Sequence, residues 1–226
     1  MNQTAKLYIN AVLGLGCLAA GASALNFSVA EPALFALLAT LAIIGGTLKI
    51  RVPGVDGNIS LSFLPMILSG VLVSLPETML LAVAATLVQG TVGVKKRKPV
   101  QIAFNCAALS LSIGFGSILG QTVSGQGVPL IQLALVGAGF YVVNSMAVIT
   151  VIGLVENKQF LSIWDECFRV YLPYFAVGLA CALIAFTGST SDQRRSLLYP
   201  GLAVLPLMML ARYYFKTFGS GANQRT

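Results

Sequence analysis

With 57% apolar and 9% charged side chains over 226 residues, this chain is too poor in charge to cover a soluble surface, where about 25% is usual. Its net charge is +7, but the basic residues gather at the ends of apolar runs, a pattern suited to anionic lipid headgroups and not to nucleic acid. There is no histidine, and Cys17, Cys106, Cys167 and Cys181 form no C-x-x-C pair, so no metal site and no cofactor is expected and Ser-His or Cys-His catalysis is excluded.

Eight apolar stretches follow one another at roughly 7–25, 32–48, 61–75, 76–94, 102–123, 128–155, 170–186 and 196–211. They predict an all-α, polytopic integral membrane bundle of about eight transmembrane helices, with a range of six to eight. The first stretch has small residues at Ala19-Ala20-Gly21-Ala22 but reads as a retained helix, not a cleaved signal peptide. The second and third offer only about 15–17 apolar residues, at or below the ~17–25 of a spanning helix, and Pro65 interrupts the third. Leu75-Pro76-Glu77 leaves almost no loop, which predicts a tight antiparallel pair with Pro76 starting its second helix. Between stretches two and three, Pro53-Gly54 and Asp56-Gly57 are turn signals flanked by β-branched residues. That segment reads as a short hairpin or extended loop, serving either as a lid or as a structural connection.

Gly116 and Gly120 form a G-x-x-x-G step that permits close helix packing, within the chain or in a homodimer. After the sixth stretch, Phe160, Leu161, Trp164, Cys167 and Phe168 share one helical face opposite Ser162, Asp165, Glu166 and Arg169, with Ile163 at the boundary. This spacing predicts an amphipathic interfacial helix marked by Phe160, Trp164 and Phe168, with Trp164 at headgroup depth. Such a helix either anchors a turn or passes motion to a cytoplasmic partner.

Threading the stretches with the N-terminus inside collects Lys6, Lys49, Arg51, Lys95, Lys96, Arg97, Lys98, Lys158, Arg169, Arg212, Lys216 and Arg225 on one face, leaving Arg194 and Arg195 outside. Both termini are then expected in the cytoplasm, and the run Lys95, Lys96, Arg97, Lys98 is expected to meet lipid headgroups. The expected organisation is a single integral membrane domain over 1–218 and a short cytoplasmic tail over 219–226, read as flexible from Gly219-Ser220-Gly221, in a bacterial inner membrane.

No Asp, Glu, Lys or Arg falls at mid-depth in a predicted span, which counts against proton pumps, ion-coupled carriers and voltage sensors. The neutral polar residues that remain include Asn105, Tyr141 and Asn144, the candidates for interhelical or ligand contacts. Nothing in the chain assembles an enzyme's constellation, and no catalytic residue is predicted.

Two family resemblances attach to these residues. The stretch Phe140–Val148, then Phe160–Phe168, then Leu172-Pro173-Tyr174, together with Leu205-Pro206-Leu207 and Ala211-Arg212-Tyr213-Tyr214, resembles membrane-associated sensor (MASE-like) regions. Those regions precede cytoplasmic HD-GYP phosphodiesterase or diguanylate cyclase domains in bacterial signalling proteins. The segment Lys49–Leu64 followed by Lys95–Lys98 and Phe104-Asn105 is similar to their first half. The resemblance implies a non-enzymatic sensor or ligand-binding module that passes a signal to a cytoplasmic partner. A weaker resemblance runs from Lys49 through Gly70, with Asn58–Pro65, and points to substrate-binding subunits of energy-coupling-factor vitamin transporters.

Overall fold

The computed structural model describes residues 2–51, 58–92, 98–124 and 129–165, together with Leu172, Phe175, Ala176, Leu179, Ala180 and Leu183. In chain order these form α1 (Gln3–Leu25), α2 (Pro32–Thr47), β1 (Lys49–Arg51), β2 (Asn58–Ser60), α3 (Phe63–Leu72), α4 (Leu75–Thr91), α5 (Pro99–Ser124), α6 (Pro129–Glu156) and α7 (Phe160–Ile163). Prolines mark the helix starts: α2, α5 and α6 begin on one, and Pro76 lies in the first turn of α4. The ring pre-sets the helical φ at a position whose N–H has no intrahelical partner. By the same logic Pro65, the third residue of α3, lies in that helix's first turn and does not break it. Asn2 caps α1 by accepting the Ala5 N–H at 2.7 Å. Ser74 and Glu77 close a reciprocal capping box on α4. Asn157, at φ 54°, turns the chain just after α6, in a region that asparagine tolerates.

The segment between α2 and α3 is an antiparallel hairpin with Lys49 opposite Ser60, Ile50 opposite Ile59 and Arg51 opposite Asn58. Of the two forms expected there, the chain takes the hairpin. α3 sits at the centre of the bundle, and every residue from Phe63 to Gly70 is buried. Leu34, Leu38 and Leu41 of α2, Leu81 of α4, Ile113 of α5, and Leu133, Val136 and Phe140 of α6 complete the core around it. Several buried hydroxyls donate to carbonyls of their own helix: Thr86 to Ala82 O (2.6 Å), Ser112 to Ala108 O (2.6 Å) and Ser117 to Ile113 O (2.9 Å).

The bundle is all-α apart from the hairpin, but the expected count of spanning helices does not hold. Among the described residues, three helices are long and apolar enough to cross a membrane: Gln3–Leu25, Pro99–Val123 and Leu130–Glu156. The eight-helix expectation, and its range of six to eight, is thereby corrected. An apolar run measures composition, whereas crossing requires uninterrupted helix. α3 keeps only ten residues, a rise of about 15 Å against a hydrocarbon core of roughly 30 Å. α2 and α4 keep 16 and 17 residues, about 24–26 Å. The placement of both termini in the cytoplasm rested on an even count of eight crossings and falls with it. The stretches expected at 170–186 and 196–211, and the tail 219–226, lie outside the described residues except at the six positions named above.

Candidate functional site

Two contacts define one end of the bundle. Asn2 Nδ2 donates to Leu154 O (3.1 Å), joining the start of α1 to the end of α6. Lys49 Nζ donates to Val92 O, joining the hairpin to the end of α4. Gly90 of α4 faces Ile102 of α5, and Tyr8 of α1 pairs its ring with Phe104 at 6.2 Å. Lys6, Lys49, Lys98 and Lys158 are therefore brought to the same end. Lys98 is exposed, and its backbone N–H donates to Gln101 Oε1 at 3.1 Å, capping α5. Lys158 pairs with Glu156 at 3.0 Å; with both side chains half exposed, this surface pair adds little stability. Lys95, Lys96 and Arg97 lie outside the described residues.

α7 docks at this end. Ile163 is 1% exposed against Ile149, with Ile152 beside them. Trp164 follows at once, its ring 6.4 Å from Tyr141 in an edge-on arrangement. Tyr141 also meets Phe175 at 4.8 Å, and Phe175 stacks on Phe63 (5.4 Å) and Phe140 (6.2 Å). A continuous set of rings thus runs from Trp164, at the end of α7, to Phe63, the first residue of α3. Offset and edge-on pairs of this kind add about 0.5–1.5 kcal/mol each beyond area burial. Phe160 and Leu161 point outward, 43% and 72% exposed, so α7 divides its apolar side chains between the bundle and the surface. Phe168 lies outside the described residues.

Of the three polar candidates, only Tyr141 joins this cluster. Asn105 and Asn144 are half-buried, and among the described residues neither amide has a hydrogen-bond partner. The antiparallel α5–α6 register, in which Gly116 abuts Gly139, sets Asn105 and Asn144 about 9 Å apart along the bundle. The glycine step is used within the chain: a Cβ on Gly116 would meet Val136 O and Phe140 N, and one on Gly120 would meet Val136 and Gln132.

Sequence reasoning passed over three residues. Ile163 lies at the boundary of the predicted apolar face yet is the docking side chain, packed against Ile149. Phe175 carried no signal of its own. Glu77 is 1% exposed, and the Ser74-x-x-Glu77 pattern of a capping box could have found it.

No curated protein and no solved structure matches the chain. A family model named MASE9 matches residues 23–187, a segment running from the end of α1 past the aromatic cluster. The chain therefore belongs to the MASE9 family, and it is a multi-pass inner-membrane sensor domain of a non-catalytic, signalling class.

Proposed function

We propose that this sensor drives a cytoplasmic output of the HD-GYP phosphodiesterase or diguanylate cyclase kind, through the ring contacts joining Tyr141, Trp164 and Phe175. These contacts carry the reading because they tie the core of the bundle to a short amphipathic helix at its basic end. A change in helix packing near α3 and α6 shifts Tyr141, and Trp164 follows it. The mechanism needs two packings of similar free energy, biased by whatever the sensor detects. Lys95–Lys98 lie against anionic headgroups in this reading and fix the height of that end in the bilayer. Asn105 and Asn144 offer amides to a ligand or to a neighbouring helix. The integral membrane unit extends over 1–218, with 219–226 as a tail. A homodimer is compatible with this scheme, but its interface would use a face other than the Gly116–Gly120 step, which α6 occupies.

Trp164 is the chain's only tryptophan, so its emission reports the docking directly. Tyr141→Ala in the membrane-embedded protein should shift that emission. In cells carrying the full signalling protein, it should also change the cyclic-dinucleotide level relative to wild type. A shifted emission with an unchanged cyclic-dinucleotide level would remove Trp164 from the signalling route.

A further inference from the structure

Glu77 is an acidic side chain buried among helices that, in their described residues, offer it no charged partner. Its Oε2 accepts the Ser74 N–H at 2.8 Å, while Oε1 is buried with no hydrogen-bond partner among the described residues. Helices α1, α2, α3 and α5 pack around the bundle centre with α4. Between them they carry a single charged residue, Lys6, which lies at the opposite end. From those helices the end near Glu77 receives hydroxyls instead: Ser23 on Met79, Ser69 beside Thr78, and Ser117 beside Gly70. Glu31, at the start of α2 and exposed, is the other described acidic group at that end.

The turn before Glu77 supplies further oxygens. Ser69 O accepts both the Val73 N–H (3.1 Å) and Thr78 Oγ1 (2.8 Å), which clamps α4 onto the last turn of α3. The Ser74 N–H is drawn off to Glu77, and position 76 is a proline without an N–H. The final carbonyls of α3, at Gly70, Val71 and Leu72, are therefore left without these capping donors at the negative end of a short helix whose last two residues are half-buried. Interrupted helices in membrane proteins place small cations at such ends.

We propose that the α3–α4 turn binds one small alkali cation, held by Glu77 Oε1 and the terminal carbonyls of α3. Charge selects the valence: one carboxylate balances one monovalent ion, whereas calcium draws on several acidic ligands, and no group of three metal-ligating side chains exists among the described residues. The inference deepens the sensor reading by naming a detected ligand. Its test reads binding alone, so it can fail or succeed whatever the output partner proves to be.

The full chain, purified in detergent, is unfolded thermally while sodium chloride replaces choline chloride at constant ionic strength. The unfolding midpoint should rise saturably with sodium, because the ion binds only the folded state. Glu77→Gln, which keeps a capping-box side chain, should abolish the rise. Broadening of the sodium-23 resonance by the wild-type chain, relieved by excess lithium, gives a reading that does not depend on the variant folding. Three results would each overturn the site: no alkali-ion response in the wild type, a response retained by Glu77→Gln, or a carboxylic-acid infrared band assigned to Glu77 alongside an absent sodium response.

Discussion

α5 and α1 are both long, apolar helices of spanning length, yet 56% of the span of α5 is buried and only 22% of that of α1. α1 leaves Leu7, Leu18 and Leu25 outward at 71%, 73% and 89% exposure. The difference lies in how their glycines are used. Gly116 of α5 lets the backbone of α6 come within contact, whereas Gly14 and Gly21 of α1 have nothing within 4 Å of where a Cβ would stand. Lipid tails are as apolar as leucine, so burial of apolar area gives these helices no reason to associate. Close backbone approach does, and α5–α6 has it where most of α1 does not. Gly16, whose Cβ would strike Ala107, is the one position where α1 approaches α5 in that way.

The sharpest way to break the contrast is Gly116→Leu. Even its first side-chain carbon would lie 2.5 Å from Val136 O and 3.1 Å from Phe140 N, backbone atoms that cannot rotate aside. The helices must part, and a loss of about 3 kcal/mol or more is expected, at the upper end for overpacking. Denaturation of the purified chain in mixed micelles measures it. An unchanged midpoint would mean that α5 and α6 are not held together at this step.

Much of the helix order was legible because prolines and tight turns punctuate this sequence strongly. The stretches expected at 102–123 and 128–155 became Pro99–Ser124 and Pro129–Glu156 nearly unchanged. The number of crossings was not legible. Run length conceals where hydrogen-bonded helix begins and ends, so the run 61–75 yielded a ten-residue helix whose first eight residues are buried in the protein. Nor could composition separate α1 from α5, since lipid and protein interior select the same side chains. At the site, Tyr141 and Trp164 stood out for different reasons, as a polar ring and as an interfacial anchor, and only the fold sets them 6.4 Å apart. Glu77 escaped notice because it lies at a predicted helix end, where an acidic residue is ordinarily solvated.

A smaller effect separates the docked α7 from the packed bundle. Ile163→Ala removes the side chain that α7 buries against Ile149 and should weaken docking by about 2 kcal/mol. Because α7 is peripheral, the loss is local: Trp164 emission should change while the global unfolding midpoint barely moves. A large fall in the midpoint would show that α7 belongs to the cooperative core. Smaller still, Gly14→Leu on α1 should alter stability by no more than about 0.5 kcal/mol, as expected of a site with open space around it. A loss comparable to that of Gly116→Leu would reveal a partner on this face of α1, and cross-linking of two copies through a cysteine introduced at Gly14 would identify it as a dimer.

The weakest expected effect on stability is also the most informative about sensing. An amide between membrane helices that hydrogen-bonds across an interface contributes about 0.6–2 kcal/mol. Asn144 sits half-buried on α6, one residue before the buried Ser145 and three after Tyr141, and has no hydrogen-bond partner among the described residues. Asn144→Leu should therefore leave the unfolding midpoint within about 0.5 kcal/mol of wild type. If the amide serves a ligand and the output is the one proposed above, the same variant should blunt the cyclic-dinucleotide response, while Trp164 emission in the resting state stays as in wild type. A fall in stability of 1 kcal/mol or more, roughly the mid-range for interhelical polar contacts, would instead assign Asn144 to helix association. It would also extend the tight packing of α5–α6 about one further turn along α6, past Phe140 toward the docked α7.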